Sequence, residues 1–388
     1  MADRVELSVV MPCLNEADTL GTCISRARQA LEAEGIEGEV IVADNGSTDG
    51  SQEIAARMGA MVVPVNQRGY GNALLGGIRA ARGTFVIMAD ADASYDFMEI
   101  PRFLRKLREG YALVQGCRLP SGGGTVEPGA MPMLHRWFGN PVLSLLAQVM
   151  FGSSAHDIYC GMRGFRKDLI AQLGLRCAGM EFATEMIIKA VLAGAPMAEV
   201  PISLHRDGRK VHAPHLNTFR DGWRTLRLFL MYSPGWLFGL PGGILVLAGV
   251  VGYLLALPGR TVAGATLDAH TLLVASLCLL VGHQTLLFSL MAKVQAIQEG
   301  FSREAPIIAR VLNAYTLERG LLVAAVCVLM GATLVGAALY DWWLVDFGRL
   351  EYGHTMRLVV PGVTSIALGF QVFFGSFLRT ILTRTDTL

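Results

Sequence analysis

Thr84-Phe85-Val86-Ile87-Met88-Ala89-Asp90-Ala91-Asp92 joins an apolar run to two aspartates one residue apart. The run has the length and composition of a buried strand. Acidic side chains at the carboxyl end of such a strand stand where open α/β sheets bind ligands. At this spacing they can share a metal ion that also holds a diphosphate. The competing reading is a pair of solvated turn aspartates, and the rest of the chain decides between the two.

Further strands are expected at 7–11, 39–43, 61–65 and 111–116, and helices at 16–34, 48–58, 71–82, 141–151 and 183–193. This alternation is that of a parallel sheet with helices on both faces. The strand at 7–11 leads into Pro12-Cys13-Leu14-Asn15-Glu16, and the next ends at Asp44. In a parallel sheet both ends share the edge that carries Asp90. Carboxylates there can accept hydrogen bonds from a base or ribose. Taken singly, Asn15 reads as a helix cap and Asp44 as an Asx turn.

Asn66-Gln67-Arg68-Gly69-Tyr70-Gly71-Asn72-Ala73 is a glycine-containing turn into a helix. It has neither P-loop spacing nor a G-x-G-x-x-G at the first turn. Gly116-Cys117-Arg118 ends another strand. Residues 119–132 form a loop rich in glycine and proline, followed by His135-Arg136. With Arg163, Arg206, Arg209 and Lys210, these bases form a set suited to several phosphates. Any one of them alone reads as a surface charge.

The chain has 388 residues, is 52% hydrophobic and carries a net charge of +1, which gives no argument for nucleic acid. Its mean hydropathy of +0.44 is unevenly spread. Charges thin out after Arg227, and apolar segments follow at 237–257, 270–292, 320–340 and 357–378. Each is long enough to cross a ~30 Å hydrocarbon core. His283 and Gln284 interrupt the second and are expected to face another helix. Before them, 217–231 is amphipathic: Phe219, Trp223, Leu226 and Leu230 share one face, Arg220, Arg224 and Arg227 another. Three parts are therefore expected: a cytosolic domain (1–216), a juxtamembrane helix (217–235) and a four-helix membrane domain (236–388). Lysines and arginines concentrate in the linker 293–319 and the tail, so both termini are expected on the cytoplasmic side of the inner membrane. The seven cysteines, odd in number and without C-x-x-C, fit free thiols in a reducing compartment. The sequence from Met1 leads straight into the first strand and reads as one without a signal peptide, so the first domain is expected to stay in the cytosol.

Taken together these blocks resemble the family 2 glycosyltransferases with a GT-A fold. They look most like the dolichyl-phosphate mannose synthase group of polyprenyl-phosphate glycosyltransferases. The resemblance rests on Val9-Val10-Met11-Pro12 with Asn15-Glu16, on Asp44-Asn45-Gly46-Ser47-Thr48-Asp49-Gly50, and on Gly69-Tyr70-Gly71-Asn72-Ala73. It continues through Asp90-Ala91-Asp92, Gly116-Cys117-Arg118, Asp157 with Gly161-Met162-Arg163-Gly164-Phe165, and Val200-Pro201-Ile202. It implies an α/β GT-A nucleotide-diphospho-sugar transferase domain followed by an all-α transmembrane domain. Pro12, Leu14, Asn15, Glu16, Asp44, Gly71, Asp90 and Ala91 would then bind the donor. Asp90 and Asp92 would hold Mg2+ or Mn2+, with Ser94 where related enzymes often offer Gln. Arg118 and Arg136 would face phosphates, and Arg163, Arg206, Arg209 and Lys210 would serve the acceptor phosphate. The segment from His205 to Lys210 departs from the family's R-x-x-G-x-S-K pattern.

The activity implied is transfer of one hexose, from UDP-glucose or GDP-mannose, to polyprenyl or dolichyl phosphate with inversion. Asp92, Asp157 and Arg118 are the expected catalytic residues, Asp157 orienting the acceptor or taking its proton. The phosphate acceptor, with a second pKa of about 6, needs no strong base. The expected partners are the donor, the lipid phosphate and the bilayer, with self-association left open. Two other readings stand beside this one. A processive synthase, or a transferase acting on a lipid hydroxyl, would suit Arg136-Trp137, but Met133 occupies the place of the Q-x-x-R-W glutamine. A non-catalytic nucleotide-sugar-binding subunit of a lipid carrier complex is the other.

Overall fold

The computed structural model describes residues 5–209, 218–259, 261–262, 264–298, 310 and 315–383. The chain divides into two units, Met1–Tyr232 and Ser233–Leu388, and the amphipathic helix falls in the range of the first.

The first unit runs β1 (Leu7–Cys13), α1 (Leu20–Ala33), β2 (Gly38–Asp44), α2 (Ser51–Arg57), β3 (Met61–Pro64), α3 (Tyr70–Ala80) and β4 (Phe85–Met88). It continues with α4 (Ile100–Arg108), β5 (Leu113–Cys117), β6 (Thr125–Val126), α5 (Asn140–Phe151), β7 (Arg163–Arg166) and α6 (Lys167–Leu173). It closes with α7 (Glu181–Leu192), β8 (Met197–Pro201), β9 (Ser203–Leu204) and α8 (Thr218–Tyr232). The main sheet has the order β3-β2-β1-β4-β7-β5-β8. All neighbouring pairs are parallel except those of β7, which runs antiparallel to β4 and β5. The expected all-parallel sheet is thus a mixed one. Because β7 opposes both of its neighbours, β5 still runs with β4, and the carboxyl ends of β1, β2, β4 and β5 share one edge.

Side chains alternate across the sheet. Val9, Met11 and Ile87 enter one apolar core, while Val10, Val86 and Met88 enter the other. Helices close both faces. On α1, Leu20, Cys23, Ile24, Ala27 and Leu31 recur at helical spacing and are buried. On α4, Ile100, Phe103, Leu104 and Leu107 do the same, with proline in the first turn where its missing N–H is harmless. Packed to this degree, each large apolar side chain contributes about 1.5–3 kcal/mol. Helix α8 turns Thr225, Leu228 and Phe229 inward and leaves Phe219, Trp223 and Met231 exposed.

The second unit holds α9 (Leu240–Ala256), α10 (Ala269–Gln298), α11 (Leu317–Leu344) and α12 (Tyr352–Thr383). All four are long and apolar enough to cross a membrane, the first counted from Gly235. Small residues let backbones approach: a Cβ on Gly242 would meet the Gly282 carbonyl, and one on Gly362 the Gly331 carbonyl. His283 meets Gln371 of α12 at 2.8 Å, so the polar interruption of α10 does face a neighbouring helix.

Candidate active site

Loops leaving the shared sheet edge build one polar centre. The first two are stitched together. Asn15, in the left-handed region at φ 60°, accepts from the Thr48 amide, while its own amide donates to Ser47 Oγ. The Glu16 and Ala17 amides donate to Ser51 and Asp49. Asp44 is buried and accepts from the Gly46 and Ser47 amides and from Gln52 Nε2 at 2.6 Å. Its carboxylate therefore holds the loop, as an Asx turn does. Leu14 is exposed beside it, with Pro12 half-buried.

Asp90 and Asp92 follow β4 and are half-buried. Burial, with the Asp92 charge beside it, pushes the Asp90 carboxyl up to about 6. Tyr70 Oη donates to Asp90 Oδ1 at 2.8 Å. Gly161 lies against the other oxygen, where a Cβ would come within 2.6 Å of Oδ2. Ala91 is buried and its carbonyl accepts from Thr19 Oγ1. Ser94 does not stand as a third ligand: its hydroxyl and amide both donate to Asp92 Oδ1, at 2.5 and 2.9 Å. Asp92 Oδ2 is turned instead toward Arg209 Nη1, 3.3 Å away.

Two carboxylates supply hard oxygen donors for Mg2+ or Mn2+. Among the described residues no group of three or more His, Cys, Asp or Glu could hold a metal by itself. The donor set would suit a cation that arrives with a diphosphate, with phosphate oxygens and waters as its other ligands. The place for positive charge is marked by Arg209, whose guanidinium also pairs with Glu16 at 2.6 Å and Asp207 at 2.8 Å. Burial works against its charge, and Glu16 and Asp92 more than offset that. Glu16 and Arg209, assigned from sequence to donor and acceptor, are thus partners of each other.

At the end of β5, Arg118 and Asp157 form a buried two-pronged pair: Nε to Oδ2 at 2.7 Å, Nη2 to Oδ1 at 2.9 Å. The Arg118 and Tyr159 amides take up the remaining acceptor sites of Asp157, which is fully buried. Asp157 is thus engaged by the Arg118 guanidinium and by two main-chain amides. Arg163 is also corrected. It is fully buried and donates to the main-chain carbonyls of Ala183, Cys160 and Ile158, so it serves the fold and not a phosphate. Arg136 lies over the Trp137 ring at 5.4 Å, and its buried Nε finds no hydrogen-bond partner among the described residues. Around it Met133, Leu134, Trp137 and Phe138 are exposed. Arg206 is exposed and tied to Pro128 and Glu127. Lys210 lies outside the described residues.

The structure adds residues that sequence reasoning missed. Tyr70 and Tyr95 fix Asp90 and Gly161, Asp207 holds Arg209, and Glu127 clips residues 205–206. Only Tyr70 had a local signal, as the bulky residue between two glycines. Gly71, expected at the donor, packs its Cα against the Cys177 carbonyl and donates its amide to the Ala178 carbonyl.

Residues 8–174 match the family described as glycosyl transferase family 2, and residues 290–383 its C-terminal transmembrane region. The chain is 37% identical over 374 residues to low-salt glycan biosynthesis hexosyltransferase Agl6 of Haloferax volcanii, covering 96% of this chain and 88% of that one. It is 32% identical over 197 residues to a dolichyl-phosphate hexose transferase of the same organism, covering 51% of this chain and 82% of that one. A solved structure of glucosyl-3-phosphoglycerate synthase from Mycobacterium tuberculosis, in complex with Mn2+, UDP and phosphoglyceric acid, is also similar. It is 22% identical, covers 58% of this chain and 76% of that one, and has a TM-score of 0.44. The chain belongs to glycosyltransferase family 2. It is a glycosyltransferase whose GT-A fold is followed by a multi-pass membrane region.

Proposed function

We propose that the enzyme transfers one hexose from a nucleotide-sugar to polyprenyl or dolichyl phosphate, with inversion. The observation that carries this reading is the Arg118–Asp157 pair. The carboxylate expected to serve as a base is spent on fixing an arginine at the edge that carries Asp90. A site rich in fixed positive charge suits an acceptor that is already an anion. A lipid hydroxyl would instead need a base in reach. Arg136, with its unpartnered Nε and exposed apolar neighbours, suits a phosphate on a lipid. The name of the dolichyl-phosphate hexose transferase relative supports the same acceptor.

In this reaction an acceptor phosphate oxygen attacks the anomeric carbon as the bond to the diphosphate breaks. The nucleoside diphosphate leaves with the electron pair, and no proton need be removed. The β1 and β2 loops, with Pro12, Leu14 and Asn15, hold the nucleoside. Asp90 and Asp92 would hold the cation, which would supply charge to stabilise the leaving diphosphate. Arg118 and Arg136 bind the acceptor phosphate, and Arg209, 3.3 Å from Asp92, adds positive charge on the donor side. The catalytic unit and both termini face the cytoplasm, in keeping with the basic residues of the linker 293–319.

The test is incubation of the full-length protein with radiolabelled UDP- and GDP-hexoses and short polyprenyl phosphate, with Mg2+ or Mn2+ and with chelator. Metal-dependent label in the lipid phase is expected from one donor. Failure of every donor sinks the reading.

A further inference from the structure

Asp90 is gripped from an unexpected direction. Tyr70 Oη reaches Asp90 Oδ1 at 2.8 Å from the first turn of α3. Gly161 flanks the opposite side, where any side chain in its place would come within 2.6 Å of Asp90 Oδ2.

What places Tyr70 is a brace anchored on α7. The Gly71 amide donates to the Ala178 carbonyl at 2.8 Å. A Cβ on either flanking glycine, Gly69 or Gly71, would collide with the Ala178 or Cys177 carbonyl. Gly69 has φ 133°, which L side chains rarely adopt. The backbone on both sides of Tyr70 is therefore seated on residues 177–178. That segment is in turn pinned by Glu185, which accepts from the Arg176 and Cys177 amides at 3.0 and 2.8 Å. Glu185 is 1% exposed and pairs with Lys189, 3% exposed, at 2.9 Å. Lys189 donates on to the Gly174 carbonyl, and Tyr232 Oη to Glu185 at 3.3 Å. Burying two charges is expensive unless they are paired and hydrogen-bonded. Here both ends of the pair are spent on one stretch of backbone, from Gly174 to Ala178, that carries the seat of Tyr70.

We propose that Tyr70 is a positioning residue for Asp90, held in place by Glu185 through residues 176–178. The proposal rests on the reading of Asp90 as a cation ligand of the donor site. Outer partners of this kind orient a ligand, and their loss typically weakens metal binding by about 10–100-fold.

The experiment measures Mn2+ binding by electron paramagnetic resonance on the full-length protein, with UDP and with GDP present. Tyr70→Phe is expected to weaken Mn2+ about tenfold while the melting temperature stays that of the wild type. Glu185→Gln is expected to weaken it too, and to add nothing in a Tyr70→Phe background. Should Glu185→Gln fail to fold, Glu185→Gln with Lys189→Met replaces it. Wild-type Mn2+ affinity in Tyr70→Phe overturns the role of Tyr70. Independent, additive losses overturn the link to Glu185. Absence of Mn2+ binding in the wild type overturns the donor-site reading as well, which separates the two failures.

Discussion

Arg209 and Glu16 are 193 residues apart and meet in a two-pronged ion pair, Nη2 at 2.6 Å and Nε at 2.8 Å from the carboxylate. The same guanidinium reaches Asp92 and Asp207, so one side chain links the β1 loop to the acidic pair after β4. Without Arg209, Glu16 is a nearly buried carboxylate without its main partner. Arg209→Gln is therefore expected to lower both melting temperature and kcat/KM. Adding Glu16→Gln should recover stability but not activity, with a coupling of about 0.5–3 kcal/mol in a double-mutant cycle.

Asp157→Asn keeps the shape of the pair and removes its charge. Leaving Arg118 buried without a counter-charge costs about 3–5 kcal/mol locally. Activity should fall, and Arg118→Gln should fall with it. The shape of the pH–rate profile should be the same in the wild type and in Asp157→Asn. A wild-type acidic limb, with activity lost as pH falls, that vanishes in Asp157→Asn would mark Asp157 as a general base.

Arg163 separates fold from chemistry. Arg163→Met strips three main-chain carbonyls of their donor and should lower stability by about 3 kcal/mol. The KM for lipid acceptor should stay unchanged in whatever protein folds. A rise in that KM with unchanged melting would return Arg163 to the acceptor site.

Glu185 gives the first unit an acid-sensitive joint. Burial raises its carboxyl, but the Cys177 amide, Lys189 and the Arg176 amide outweigh this, and the net shift is downward from 4.5. A depressed folded pKa adds stability that is present above 4.5 and is lost as pH falls through the folded value. Melting temperature should therefore drop on acidification below 4.5, and Glu185→Gln should show a shallower drop. Equal slopes would contradict the assignment.

The strand ends were legible because they close apolar runs: Asp44, Asp90 and Arg118 all fall where the sequence places them. Strand β7 was not, because Arg163-Gly164-Phe165-Arg166 holds one large apolar side chain in four residues and is made a strand by its two neighbours. Arginine identity did not distinguish Arg163 inside the core from Arg206 on the surface, since both are basic residues near loops. The pairings of Arg118 with Asp157 and of Arg209 with Glu16 depend on contacts 39 and 193 residues apart, which no local pattern encodes. The small lateral helices α4 and α6 were overlooked as well. Helix α6 spans only seven residues, and in α4 a strongly basic face surrounds the apolar one.

The most direct test offers the purified enzyme the same donor with two acceptors, a short polyprenyl phosphate and the matching polyprenol, and identifies the lipid product by mass. Single transfer to a lipid phosphate predicts a lipid-phosphate hexose carrying one sugar, and no product from the alcohol. Transfer to the polyprenol, or a product that grows beyond one sugar, would contradict it.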